Sequence, residues 1–207
     1  MIWYGKHLTM IEYFESIDRT IVLLVNSWNT PFLDQFMWVI SEKATWIPLY
    51  ALMLYLFIRQ YGFKSGLLFL LCAIGVVAIS DLTSVHLFKE SFMRYRPSHN
   101  LLLTDALHFY QFDDGEFYKG GMYGFVSSHA TNFLSVCTFA YLALRRDYPK
   151  VLWLFLMAAL LVLYSRIYLG VHYLSDVLFG AILGILIAYL VFRFVFIGII
   201  GKEYNQK

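Results

Sequence analysis

Long blocks of apolar residues fill most of the chain beyond residue 44, and they restrict the folds that it can adopt. Of the 207 residues, 60% are hydrophobic and only 14% are charged, whereas a soluble domain carries about a quarter charged residues. A block of about 20 apolar residues is long enough to cross a bilayer as a helix. We therefore predict an all-α, polytopic membrane helical bundle with about five transmembrane helices. The predicted spans are residues 46–60, 65–88, 128–144, 151–168 and 174–196.

The N-terminal segment, residues 1–43, has a different pattern. Apolar residues recur there at helical spacing, as at Ile11, Phe14 and Ile17, and charged residues occupy the other faces. This pattern is typical of amphipathic helices that lie at a membrane interface, and we predict two such helices. Alternatively, residues 20–28 begin a sixth span, although their apolar core is too short to cross a bilayer alone.

The chain, residues 1–207, is interpreted as a single membrane-embedded domain. The transmembrane bundle occupies residues 44–197, and a long loop without clear periodicity lies at 98–126. Basic residues occur at 59–64 and 145–150, on the other side of the bundle from this loop. The positive-inside rule makes that side cytoplasmic, so we expect the long loop to face outward.

Composition also limits the partners of the protein. A net charge of +2 is too small to indicate a nucleic-acid partner. Cys72 and Cys137 lie within apolar blocks, where they are expected to be small buried hydrophobes and not a disulfide or a metal site. The compact size and the lack of a targeting extension fit the inner (cytoplasmic) membrane of a bacterium. The sequence predicts no oligomeric state.

The first cluster of functional candidates follows the second span. Lys89 and Arg96 are seven residues apart, close to two helical turns, so a continuing helix would place both on one face. Two cations at one mouth would bind a dianion such as a phosphoryl group, the arginine through its planar fork. Alternatively, both are ordinary basic residues that extend to the membrane boundary.

The second cluster opens the third span with Ser127, Ser128 and His129. Serine is a good N-cap residue, and the first turn of a helix presents unpaired N–H groups that suit an anion. His129 could donate a proton to a leaving oxygen at this position. The alternative is a capped helix with an incidental histidine.

The third cluster joins the fourth and fifth spans. Ser165 and Arg166 end one span, and His172 and Asp176 open the next. If a helix begins near His172, residues four apart share a face, and the carboxylate can accept the imidazole N–H. That contact would fix the tautomer and leave the other ring nitrogen free as a base or nucleophile. A buried polar network that joins two helices is the alternative.

Together the three clusters resemble the motifs of the type 2 phosphatidic acid phosphatase (PAP2) superfamily, over about residues 80–185. The matching pattern is Lys89-x6-Arg96-Pro97, then Ser127-x-His129, then Ser165-Arg166-x5-His172-x3-Asp176. The sequence departs from the family in one motif. Where the family usually has Pro-Ser-Gly-His, this chain has Val-Ser-Ser-His, so Ser128 stands in the place of a glycine.

The resemblance implies roles for individual residues. His172 resembles the nucleophile that forms a phosphohistidine, Asp176 its orienting partner, and His129 the general acid that protonates the leaving group. It also implies that no metal or other cofactor is needed. The residues that resemble the phosphate-binding cage are Lys89, Arg96, Ser127, Ser128 and Arg166.

The implied activity is the hydrolysis of a phosphate monoester or diphosphate on a membrane lipid, with the active site facing the periplasm or exterior. Candidate substrates are undecaprenyl diphosphate, phosphatidylglycerol phosphate, phosphatidic acid and lipid A phosphates. One alternative is a lipid phosphotransferase that uses the same site. Another is a transporter of anionic lipids, although internal repeats and broken helices, which are typical of transporters, are absent from the sequence.

Overall fold

The protein is all-α, as predicted, in a computed structural model that describes residues 10–206. The predictions for residues 1–9 and for Lys207 lie outside this part of the chain. The helices are α1 Met10–Asn26, α2 Pro31–Ser41, α3 Ile47–Tyr61, α4 Phe63–Leu82, α5 Glu90–Phe92, α6 Ser128–Leu144, α7 Val151–Tyr168, α8 Leu174–Val191 and α9 Ile197–Gln206.

Within residues 10–206, three continuous helical stretches are long and apolar enough to cross a membrane: Phe63–Phe92, Val151–Tyr168 and Leu174–Gly201. Helices α6 and α7 have the predicted boundaries. Helices α3 and α6 contain 15 and 17 residues, fewer than the ~20 that a bilayer requires. The count of five spans therefore stays a prediction.

Helix α4 continues through a π-helical stretch, Thr83–Lys89, and the short α5. It ends at Met93, whose φ of 44° lies in the left-handed region and turns the chain away from the helix axis. Arg96 follows in extended backbone, and its N–H donates to the carbonyl of Met122, 3.1 Å away. The prediction that Lys89 and Arg96 share a helical face is therefore wrong.

Helices α6 and α8 run parallel and pack most extensively. A Cβ atom at Gly180 would lie 2.7 Å from the carbonyl oxygen of Ser127, and one at Gly184 would overlap the carbonyl oxygen of Thr131. Glycines four residues apart allow two backbones to approach closely where lipid offers no hydrophobic driving force. The N–H of Ser127 donates to the carbonyl of Asp176, 3.0 Å away, so the two helix N-termini lie side by side.

The opposite end of the bundle is closed by aromatic packing and one carboxylate. Ring centroids of Phe57 and Phe69 lie 4.6 Å apart, and those of Phe139 and Phe196 lie 5.2 Å apart. Tyr61 at the end of α3 donates to Asp147, beyond the end of α6, at 2.6 Å. Because α4 and α6 are antiparallel, the end of α4 and the start of α6 meet at the other end.

Helices α1 and α2 dock against that other end. Asn26 of α1 donates to the carbonyls of His108 and Tyr168 at 2.8 and 2.7 Å, and Asp34 of α2 accepts from Tyr168 at 2.7 Å. The buried residues of α1 are Asp18, Val22 and Asn26, whereas apolar residues in its first turns, such as Ile11 and Phe14, are exposed. The position of α1 and α2 at a membrane interface stays a prediction.

Candidate active site

His172 lies in the turn before α8 and not on the helix itself. Helix α8 begins at Leu174, and Asp176 is its third residue, where the carboxylate accepts the N–H of Tyr173 at 3.0 Å in a capping box. Helix α8 thus starts where the fifth span was predicted to start, and His172 precedes it by two residues, so His172 and Asp176 do not share a helical face. His172 Nδ1 nevertheless lies 3.5 Å from Asp176 Oδ2, and both side chains are buried.

The second ring nitrogen of His172 faces Arg96. The guanidinium NH1 lies 3.0 Å from His172 Nε2, and because a guanidinium only donates hydrogen bonds, Nε2 accepts. The remaining ring proton therefore belongs to Nδ1, on the side of Asp176. Burial, together with the positive charges of Arg96, Arg166 and Lys89, holds the pKa of His172 well below its ordinary value. The imidazole is neutral, with the Nε2 lone pair inside the cationic cluster.

Burial and the charge of Arg166 lower the pKa of Arg96 to about 10, so it stays protonated at neutral pH. Gly124 makes its position possible. A Cβ atom there would lie 2.9 Å from Asp176 Oδ2 and 3.1 Å from Arg96 Cγ. A residue without a side chain lets the loop pass between the arginine and the carboxylate.

The other two predicted cations come from different helices. Lys89 donates to the hydroxyl of Ser128 at 2.6 Å, and Ser128 is also 2.7 Å from the hydroxyl of Ser84. The serine that replaces the family's glycine thus holds Lys89. Both Lys89 and Arg166 interact electrostatically with His172, so the structure brings all three cations to one place.

Arg166 is 1% exposed and is held by hydroxyl groups from two other segments. It hydrogen-bonds Ser41 of α2 and donates to Tyr118 of the 98–126 loop at 2.9 Å. Among the described residues its Nε has no hydrogen-bond partner. A buried donor without a partner lowers the stability of the fold by about 1–3 kcal/mol. A bound ligand that accepts the hydrogen bond would remove this cost.

The start of α6 lies beside this cluster. Ser127 is the N-cap, and its hydroxyl accepts from the N–H of Ala130 at 3.5 Å. The backbone N–H of Ser127 already donates to the carbonyl of Asp176, so this N–H is not available to a phosphate. His129 is partly exposed in a cavity and interacts electrostatically with His172.

A network behind Asp176 was not identified from the sequence. Arg94 donates to Asp176 Oδ1 at 2.7 Å and to Asp18 Oδ2 at 2.8 Å. The N–H of Ser175 donates to Asp18 at 3.0 Å. Asp18, only 5% exposed, thus connects α1 to the carboxylate beside His172. The sequence signal for this role is that Asp18, a charged residue, interrupts the apolar pattern of α1.

We expect Arg94→Gln to lower kcat about tenfold with little change in KM, because it leaves the buried Asp176 carboxylate without its cation. Asp18→Asn should have a smaller effect in the same direction. Arg19→Gln removes an exposed ion pair to Glu15 and serves as the control. Steady-state kinetics and thermal unfolding of the three variants check this. Loss of stability with unchanged kcat would mean that Arg94 only supports the fold.

A cavity of about 640 Å³ leads away from the site between α3, α4 and α6. Ser128 and His129 lie at its upper end, and most of the other lining side chains are apolar or aromatic. The polar residues among them are Ser41, Lys43, Asp81 and Asn132. Along α4 its lining extends from Asp81 to Leu70, about 16 Å at the helical rise per residue. These dimensions fit one or more hydrocarbon chains. The apolar and aromatic lining includes Trp46, Tyr50, Ile74, Phe133, Val136 and Val162.

The fold and the clustered motifs define a class of membrane enzyme. The family model of the PAP2 superfamily matches residues 66–199, more than half of the chain. The chain therefore belongs to the PAP2 superfamily, and the resemblance seen in its motifs is confirmed. The protein is a membrane lipid phosphatase of the PAP2 type.

Two relatives share the lipid A 4'-phosphatase name. That of Porphyromonas gingivalis is 32% identical over 183 residues, covering 88% of this chain and 75% of the relative. That of Bacteroides thetaiotaomicron is 30% identical over 179 residues, covering 84% and 75%. The crystal structure of a transmembrane PAP2 type phosphatidylglycerolphosphate phosphatase from Bacillus subtilis is also similar. It has a TM-score of 0.62 and 26% identity, and the match covers 88% of this chain and 86% of that chain.

Proposed function

We propose that the protein hydrolyses the phosphate of a membrane lipid through a covalent phosphohistidine on His172. The observation that carries this proposal is the state of that side chain: a buried, neutral imidazole whose Nε2 accepts a hydrogen bond from Arg96. A neutral imidazole is the nucleophilic form of histidine, and its Nε2 lone pair becomes free when Arg96 turns its N–H to a bound phosphate. The surrounding cations attract the phosphoryl dianion that it would attack.

In the first step, Nε2 of His172 attacks phosphorus while the bond to the lipid oxygen breaks. His129 gives its proton to the departing alkoxide. Entry of the phosphate dianion favours the protonated form of His129, because an opposite charge stabilises an imidazolium. Lys89, Arg96 and Arg166 stabilise the charge that develops on the phosphoryl oxygens, and Asp176 stabilises the positive ring of the phosphohistidine.

In the second step, water attacks the phosphohistidine from the side of His129, which now accepts a proton from the water. The nitrogen–phosphorus bond breaks, inorganic phosphate leaves, and neutral His172 is regenerated. Ser128 keeps Lys89 in position through both steps. The chemistry is the positioning and electrostatic stabilisation that phosphoryl transfer requires.

The two relatives named lipid A 4'-phosphatase favour a lipid A phosphate among the candidate substrates. Phosphatidylglycerol phosphate, phosphatidic acid and undecaprenyl diphosphate are the remaining members of the panel. We place the protein in the inner membrane of a bacterium with the site facing the periplasm. The basic residues at 59–64 and 145–150 support this orientation, since they lie at the end of the bundle opposite to His172.

A phosphate-release assay of the purified protein with these four lipids in mixed micelles tests the proposal. We expect free phosphate and the dephosphorylated lipid in equal amounts, with the highest kcat/KM for the lipid A phosphate. A phosphorylated second lipid in place of free phosphate would indicate a phosphotransferase. Binding of the lipids without any product would contradict an enzymatic function.

The neutral tautomer of His172 can be measured directly. Because its pKa is lowered, the imidazole should stay neutral as the pH falls through the ordinary histidine value of about 6.5, and its proton should stay on Nδ1. NMR of protein labelled with ¹⁵N-histidine, with a His172→Asn variant to assign the signals, checks both points. Titration near pH 6.5, or a proton on Nε2, would contradict the proposed nucleophile.

A further inference from the structure

Two polar residues face each other in the wall of the apolar cavity. The side-chain amide of Asn132 on α6 donates to Asp81 Oδ1 on α4 at 2.9 Å, and both residues line the cavity. Asp81 lies within a stretch that is long and apolar enough to span a membrane, yet its side chain is exposed. Ionisable residues at such depth are costly, and they usually mark a binding site or pathway.

The pair lies one helical turn deeper than the upper end of the cavity. Asn132 follows His129 by three residues on α6, a rise of about 4.5 Å. On the facing helix, Asp81 precedes Ser84 by one turn, and Ser84 is bonded to Ser128. A lipid whose phosphorus lies between His129 and His172 would therefore place the first groups below its phosphate ester beside Asp81.

The chemistry of the pair selects among such groups. An ionised carboxylate only accepts hydrogen bonds, and the amide oxygen of Asn132 is buried without a partner among the described residues. The pair thus offers mainly acceptors, which need an N–H or O–H group on the ligand. Phosphatidic acid and isoprenoid phosphates have no such donor below the phosphate, whereas lipids with amide-linked or hydroxylated acyl chains do.

We propose that Asp81 and Asn132 form a subsite that binds amide N–H or hydroxyl groups of the substrate's acyl region. The subsite would select lipid phosphates with amide-linked, hydroxylated acyl chains over phosphatidic acid and isoprenoid phosphates. This inference rests on the proposed phosphatase function, and it assigns the substrate class. A site built to accept a hydrogen bond discriminates strongly against an analogue that lacks the donor, because its buried polar groups then stay unpaired.

The test compares two substrates of equal chain length in mixed micelles: an N-(3-hydroxyacyl)glucosamine phosphate lipid and phosphatidic acid. The variants are Asp81→Leu and Asn132→Leu, which suit an apolar wall. Ser80→Ala on the same helix is the control, since Ser80 is buried and its hydroxyl has no partner in the described part of the chain. We expect Asp81→Leu to lower kcat/KM for the amide lipid at least tenfold and to leave phosphatidic acid within twofold.

Each other outcome overturns a specific statement. An equal loss with both substrates would mean that Asp81 acts through Lys89, with which it interacts electrostatically, or through the fold. Unchanged selectivity, or a wild-type preference for phosphatidic acid, would also overturn the subsite while leaving the phosphatase function intact. Wild-type protein that releases phosphate from neither of these lipids, and from neither phosphatidylglycerol phosphate nor undecaprenyl diphosphate, would overturn both.

Discussion

His172→Ala should reduce phosphate release by at least about 10³-fold, because the substitution removes the atom that forms the bond to phosphorus. Nε2 of His172 accepts a hydrogen bond from Arg96, one of the three cations. His172→Asn should be equally inactive, since an amide nitrogen is not a nucleophile. Phosphate release under saturating lipid and trapping of a labelled phosphoenzyme measure the effect.

The control for this prediction is His86→Ala. His86 is exposed and contacts Glu90, so its loss removes a histidine without touching the site. Because His172 is fully buried, each variant also needs a check of folding, by size-exclusion chromatography in detergent and by thermal unfolding. A folded His172→Asn protein that keeps wild-type turnover would contradict the proposed mechanism.

His129→Ala should reduce turnover of lipid phosphates by about 10²–10⁴-fold, the range for loss of general acid–base catalysis. Its particular signature is accumulation of the phosphoenzyme, because the same residue is needed to activate the water that breaks the nitrogen–phosphorus bond. Rapid quenching with ³²P-labelled lipid should show an acid-labile, alkali-stable label on the protein. The label should disappear in the double variant His129→Ala/His172→Asn.

An aryl phosphate separates the two roles of His129. Its phenolate leaves without protonation, so His129→Ala should form phosphoenzyme from it almost as fast as the wild type and then stall, giving a burst of about one phenolate per enzyme. Equal losses in both steps would instead mean that His129 supports binding. Asn132, one turn below, remains in place in this variant.

Much of the helical scaffold could be predicted because its signals are local. The start of α6 can be predicted from the N-cap at Ser127, and the bounds of α7 from those of its apolar block. The meeting of Lys89, His129, Arg166 and His172 could be predicted only because a family pattern relates them. Their order along the chain alone does not show that four helix ends converge.

Local sequence patterns do not predict the contacts between distant segments. Arg96 reaches His172 because the chain turns at Met93 and then pairs with the end of the 98–126 loop, where Gly124 donates to the carbonyl of Arg94 at 2.8 Å. Helical spacing counted from Lys89 predicts the wrong backbone path for Arg96. Asp18 was missed for a related reason: no periodicity connects a residue of α1 with one at the start of α8.

The exposed apolar residues in the first turns of α1 make turnover depend on the host bilayer. Met10, Ile11 and Phe14 are 78%, 73% and 61% exposed, so lipid acyl chains are the natural solvent for this side of the helix, while Asp18 on the same helix holds Arg94 at the reaction centre. A medium that does not solvate these apolar residues would weaken the contact between Asp18 and Arg94. The same polypeptide will therefore have different catalytic rates in nanodiscs and in short-chain detergent.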